Sequence, residues 1–144
     1  EVVTLAGDRA ILAHINIHSP HRVSKYGVDV NSLDNTGVAA LRQATRECDI
    51  VVIDEIGKME LLSPQFREAV TQAINSSQKV LGTIMLNPHP FADEVKRHPE
   101  VETLLVTRDN KKRAPTGRVN NLDNCDTSGT RESCRSALNG GAGV

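Results

Sequence analysis

Residues 49–62 read DIVVIDEIGKMELL. An apolar run, residues 50–53, goes without alternation into two adjacent carboxylates, Asp54 and Glu55, and then into Gly57, Lys58, Met59 and Glu60. A short β-branched run of this kind is how a strand covered on both faces reads, the pattern of a parallel sheet. The acids then mark a strand end. In open α/β sheets, ligands bind beyond the carboxyl ends of the strands. Neighbours on a strand point to opposite sides, so Asp54 and Glu55 are free to take different tasks. Acids at such a place also serve as helix caps or surface charges, and the run alone does not choose.

Downstream, Ser63-Pro64 supplies an N-cap followed by proline at the first helical position. Phe66, Ala69, Val70, Ala73 and Ile74 then recur at helical spacing. KVLGTIML (79–86) reads as a second buried strand, HPFADEVKRHP (89–99) as a short helix stopped by Pro99, and VETLLVT (101–107) as a third strand. Upstream, residues 1–17 alternate weakly around Gly7-Asp8, a hairpin signal. Residues 18–27 read as loop, 28–30 as a short extended piece, and 32–48 as a helix whose start Gly37 weakens. Strands alternating with helices on short connectors predict an α/β fold with a parallel, three-layer sheet and right-handed crossovers.

The 144 residues make about one domain. The net charge of −1 offers no bulk attraction to nucleic acid or anionic membrane, and one Tyr, two Phe and no Trp leave little for base stacking. Three cysteines without a C-x-x-C argue against a disulfide framework or zinc, and fit a reducing cytoplasm. His14, His18 and His21 are closely spaced, but Pro20 interrupts them and no cysteine supports a zinc site. No apolar run is long enough to span a membrane. Residues 111–144 hold Val119, Leu122, Leu138 and Val144 as their large aliphatics, and six Lys/Arg face three Asp/Glu. Such composition predicts a polar, disordered tail after a domain of residues 1–110.

In P-loop nucleotide hydrolases a strand-end Asp holds Mg²⁺. That ion keeps several waters and takes few protein carboxylates, so Asp54 would be enough. Glu55 would polarise the attacking water as general base.

The wording around the acids narrows this. VIDEIGKMEL resembles the Walker-B segment of the thermostable and cancer-related nucleoside-triphosphatase family. GDRAILAH is similar to that family's hairpin, and RVSKYGVDV to its R-V-G-K-Y-x-V-D-V segment, with Ser24 where glycine is usual. SPQFREAVTQAI, VLGTI and PHPFADEVKRHPEVETLLVTRDN follow in the family's order. The resemblance covers about residues 1–111. It implies a P-loop NTPase (RecA-like) sheet with an antiparallel hairpin insertion, and hydrolysis of nucleoside triphosphates such as ATP or GTP with Mg²⁺ as cofactor. Asp54 would then be the metal residue and Glu55 the catalytic base. Ile53, Asp54, Glu55, Ile56, Gly57, Lys58, Met59 and Glu60 would form the nucleotide-side segment. Thr83 on the next strand would sense the γ-phosphate. Lys25 and Tyr26 lie in a family-like segment.

No G-x-x-x-x-G-K-[ST] occurs in the 144 residues. That loop cradles phosphates with backbone N–H groups and a lysine. The expectation is that its family position lies ahead of Glu1, that the sheet is incomplete at its N-terminus, and that the chain alone is inactive. Asn110-Lys111 also stands where the family tends to show Asn-Arg. The alternative is a non-catalytic nucleotide-sensing or interaction domain. A receiver-like phospho-acceptor lacks its early acidic pair, and a dinucleotide fold lacks G-x-G-x-x-G.

Overall fold

A computed structural model describes residues 1–107 and the backbone of 137–139. The chain opens with a hairpin, β1 (Val2–Val3) against β2 (Arg9–Ala10), antiparallel with Val2 opposite Ala10. The connection is wider than the two-residue turn read from Gly7-Asp8. Thr4 N–H donates to the Asp8 carbonyl at 2.9 Å, and the Thr4 hydroxyl donates to the Asp8 carboxylate at 3.0 Å. Gly7 takes the left-handed conformation this loop needs, φ +100°.

A second antiparallel sheet follows, in the order β3-β5-β4, from β3 (Ala13–His14), β4 (Arg22–Val23) and β5 (Tyr26–Val28). It corrects the loop reading of 18–27. Val23 pairs with Tyr26, so Ser24 and Lys25 alone make the turn, and Ser24 carries a positive φ of 54°. Gly27 is the residue of closest approach here. A Cβ on it would stand 2.0 Å from the Ile17 carbonyl oxygen.

Residues 30–47 are helical throughout: α1 (Val30–Ser32), a π-helical stretch Leu33–Val38, then α2 (Ala39–Glu47). Asp29 caps the start, its carboxylate accepting from Ser32 N–H at 3.0 Å and from the Ser32 hydroxyl at 2.9 Å. These bonds hold the Asp29 carboxyl below the usual aspartate value. Gly37, the weak point of the sequence pattern, lies buried in the π stretch.

β6 (Ile50–Ile56) carries the acidic pair, and a 3₁₀ turn (Glu60–Leu62) leads into α3 (Pro64–Ile74). β6 alternates: Val51, Ile53 and Ile56 are buried, whereas Ile50 is exposed and Val52 half-buried. One face is therefore core and the other only partly covered. α3 starts as read, with the Ser63 hydroxyl accepting from Phe66 N–H at 2.9 Å. Phe66, Ala69, Val70 and Ala73 face the core. There they meet Leu33, Val38 and Leu41 of the first helical segment, Val2 of the hairpin and Ala92 of α4 (Pro90–Arg97) in one cluster.

β7 (Lys79–Ile84) pairs parallel with β6, as predicted, from Ile50 opposite Lys79 to Ile53 opposite Gly82. It is not buried, however. Among the described residues the sheet order is β7-β6-β8, which leaves β7 at an edge, and Leu81 is 66% exposed. The third predicted strand is also corrected: residues 101–107 form no strand, and Leu104, Leu105 and Val106 are exposed. Among the described residues β7 makes its single ladder with β6. Of the stretch 111–144, residues 137–139 form β8 (Ala137–Asn139), parallel to β6. The rest of the predicted tail lies outside the described residues. No helix among the described residues is long and apolar enough to cross a membrane.

Candidate active site

The acids sit at the end of β6, where strand, 3₁₀ turn and α3 succeed one another. Asp54 is half-buried, and its Oδ1 accepts a 2.5 Å hydrogen bond from the Thr83 hydroxyl of β7. The parallel register of β6 and β7 brings the two strand ends side by side, so residues 29 positions apart meet. This bond occupies one carboxylate oxygen, orients the group, and leaves Oδ2 for another partner.

Glu55 is exposed and turns the other way, over Gly57. A Cβ on Gly57 would come within 2.2 Å of Glu55 Oε1 and 2.9 Å of Glu60 Oε2. Gly57 is therefore the floor on which two carboxylates converge, a space any side chain would fill. Glu60 is buried. Burial, and the Glu55 charge beside it, push its carboxyl above the usual glutamate value, against hydrogen bonds from the backbone at Glu60 and Gly57 that pull it down. Loss of hydration penalises the charged form, and a like charge adds to that penalty.

Ile53 and Ile56 put their side chains into the core, so only their backbone groups are available to a ligand. Lys58 is exposed and enters no ion pair among the described residues. Met59 packs against the core from its rim. Asp54, Glu55, Gly57, Glu60 and Thr83 are thus brought together, Lys58 stands free at the rim, and Ile53, Ile56 and Met59 support from below. Lys25 in the β4–β5 turn and Tyr26 at the start of β5 lie in the antiparallel sheet's hairpin, where the Lys25 ammonium lies 5.4 Å from the Tyr26 ring centroid.

No group of three or more His, Cys, Asp or Glu that could hold a metal occurs among the described residues, His14, His18 and His21 included. The donor set suits a cation that keeps most of its water and takes one carboxylate plus substrate phosphate, the habit of Mg²⁺. Cys48 is buried in the core. Sequence reasoning missed two things. One is the approach of Glu55 and Glu60 over Gly57, signalled only by a glycine between two acids. The other is the hydrogen bond from the Ser63 hydroxyl to Asp34 Oδ1, which ties the start of α3 to the π-helical stretch.

A family model described as NTPase matches residues 1–117. A nucleoside-triphosphatase THEP1 of Thermotoga sp. (strain RQ2) is 40% identical over 111 residues, 77% of this chain and 64% of that protein. A nucleoside-triphosphatase THEP1 of Korarchaeum cryptofilum (strain OPF8) is 35% identical over 137 residues, 93% of this chain and 69% of that protein. The crystal structure of THEP1 from Aquifex aeolicus superposes with a TM-score of 0.71 at 32% identity, covering 76% of this chain and 68% of that one. Against the Thermotoga relative, the chain spans less than two thirds of the length.

Proposed function

The chain belongs to the THEP1 nucleoside-triphosphatase family of P-loop NTPases, and we propose that its β6 end is the hydrolytic half of a nucleoside-triphosphate site. The reaction is nucleoside triphosphate plus water to diphosphate plus phosphate, with ATP or GTP as substrate. The observation that carries the reading is the 2.5 Å Thr83–Asp54 hydrogen bond, which holds a carboxylate at a parallel strand end with one oxygen still available.

Bound Mg²⁺ would neutralise charge on the phosphates, and Asp54 is the residue that would hold it. Thr83 fixes the Asp54 rotamer and offers a hydroxyl to the space beyond the two strand ends. Glu55, exposed and free to reach solvent, takes the proton of the attacking water. Glu60, buried behind it with a raised affinity for a proton, limits how far the Glu55 carboxylate swings back over Gly57. Lys58 at the rim adds positive charge to the approach. Phosphate-cradling backbone of the G-x-x-x-x-G-K-[ST] kind is absent from these 144 residues, so the chain by itself is inactive.

Two measurements test this. Phosphate release from MgATP or MgGTP by the 144-residue chain should not exceed that of buffer; turnover abolished by Glu55→Gln would overturn the need for the loop while keeping the role of Glu55. Mn²⁺ uptake, followed by electron paramagnetic resonance, should be tighter for the wild type than for Asp54→Asn. Equal uptake would overturn the assignment of Asp54.

A further inference from the structure

We propose that the outer face of the small antiparallel sheet, with the loop 15–21 that crosses it, is a docking surface for an anionic lipid bilayer. The net charge of −1 conceals an uneven distribution. No acid stands between Asp8 and Asp29, whereas Arg9, Arg22, Lys25 and three histidines do. Arg9 is paired with Glu1 at 3.3 Å. Arg22 and Lys25 enter no ion pair among the described residues, and both are exposed, as are His14, His18 and His21.

The register decides which side carries them. His14 and Arg22 both stand opposite Gly27, one on each neighbouring strand, so they share a face of the sheet. Ala13, Val23, Tyr26 and Val28 take the opposite face, and Val28 is fully buried. The space above Gly27 holds the Ile17 carbonyl, the contact that forbids a Cβ there. The loop 15–21 therefore lies across the outer face, between His14 and Arg22. It is pinned at both ends: Ile17 N–H donates to the His14 carbonyl at 3.2 Å, and Val28 N–H donates to the His21 carbonyl at 2.8 Å. The Arg22 guanidinium donates to the Lys25 carbonyl at 3.0 Å, which holds the β4–β5 turn beside it. Within this ordered surface Ile15 is left 54% exposed, and Ile11, just ahead of the sheet, 63%.

Apolar side chains held in water beside unpaired cations have the chemistry of the bilayer interface. There the apolar group enters the acyl boundary and the cation meets lipid phosphate. Other acidic partners fit less well. An extended peptide adds to a long sheet edge, and the edge strands β3 and β4 have 2 residues each. A single-stranded nucleic acid stacks its bases on aromatic rings. The ring in this sheet, Tyr26, is half-buried on the opposite face beneath the Lys25 ammonium. The surface bears on no step at the β6 end, so it stands or falls apart from the proposed hydrolysis.

Co-sedimentation of the 144-residue chain with vesicles is the test. Vesicles of phosphatidylcholine alone are compared with vesicles in which about a quarter of the lipid is phosphatidylserine. Two unpaired cations should favour the anionic vesicles by roughly thirtyfold at low salt. The preference should fall severalfold as salt rises from about 0.02 M to about 0.2 M. Arg22→Gln with Lys25→Gln should abolish it, whereas Arg46→Gln with Lys79→Gln, which removes the same charge elsewhere, should keep it. Ile15→Asn should weaken binding severalfold with every charge in place. Equal binding to both vesicles, a preference indifferent to salt, or equal loss in the two double variants would overturn the proposal. So would Ile15→Asn binding as tightly as wild type, because insertion of an apolar side chain is what separates a bilayer from an acidic protein or a nucleic acid. Should Arg22→Gln with Lys25→Gln unfold the chain, the salt dependence of the wild type decides, and its absence overturns the proposal.

Discussion

Replacing Ser63 with alanine deletes one oxygen that does two jobs. The hydroxyl accepts from Phe66 N–H at 2.9 Å and donates to Asp34 Oδ1, at a residue with no solvent exposure. The first bond is a helix N-cap, whose loss costs about 1 kcal/mol. The second reaches a carboxylate, and hydrogen bonds to charged groups contribute about 1.5–3 kcal/mol. Asp34 keeps a second donor, the Gln65 side-chain amide at 3.2 Å, so it is not left bare. The Phe66 N–H has no such reserve at a buried site. Together these give a loss of roughly 2–4 kcal/mol, a large part of the ~5–15 kcal/mol that holds a domain together. Urea unfolding of wild type, Ser63→Ala, Asp34→Ala and the double variant closes the cycle. The midpoint should fall at constant slope, and the double variant should cost about 1 kcal/mol or more less than the sum of the singles. A Ser63→Ala loss below about 0.5 kcal/mol, or strict additivity, would refute the claim that this hydroxyl joins α3 to the π-helical stretch.

Ser24→Gly should stabilise the chain by up to about 1 kcal/mol, because a left-handed conformation strains any residue with a Cβ, and Ser24 has φ 54°; thermal unfolding reads it, and a lowered midpoint refutes it. Glu60→Gln should change the pH dependence of stability. The raised Glu60 pKa means that the folded state binds the proton more tightly than the unfolded chain, so the wild type loses stability as pH rises from the ordinary glutamate range through the folded value. The variant lacks this loss, so its advantage over wild type should be greater at pH 8 than at pH 4. A difference independent of pH would remove Glu60 from the account.

Local chemistry was legible, and sheet neighbourhood was not. The cap at Ser63, the proline behind it and the apolar stripe of α3 are written within one helical turn of each other, and the structure reproduces them. The acids of β6 were legible for the same reason: a β-branched run and the residues that end it are contiguous. Thr83 could be placed beside them only because a parallel partner strand was itself recognisable. Exposure was misread wherever it depends on a neighbour distant in sequence. KVLGTI has the composition of a buried strand, yet among the described residues β7 stands at an edge, with β6 as its ladder partner. VETLLVT has the same composition and forms no strand. The Ser24-Lys25 turn was hidden by its residues. A turn with positive φ announces itself through glycine or asparagine, and here a serine bears the strain.

The same distinction explains the shape of the site. Asp54 and Glu55 are adjacent in sequence, but their surroundings come from different places. Asp54 takes its partner from β7, across the sheet. Glu55 takes its limits from Gly57 and Glu60, within its own turn. A substitution in β7 should therefore disturb Asp54 and leave Glu55 in place, whereas one in the turn should do the reverse. This separation follows from a parallel strand end that meets its neighbour on one side and its own turn on the other. It allows the residue that would hold the cation and the residue that would activate water to be tuned independently, although no residue lies between them.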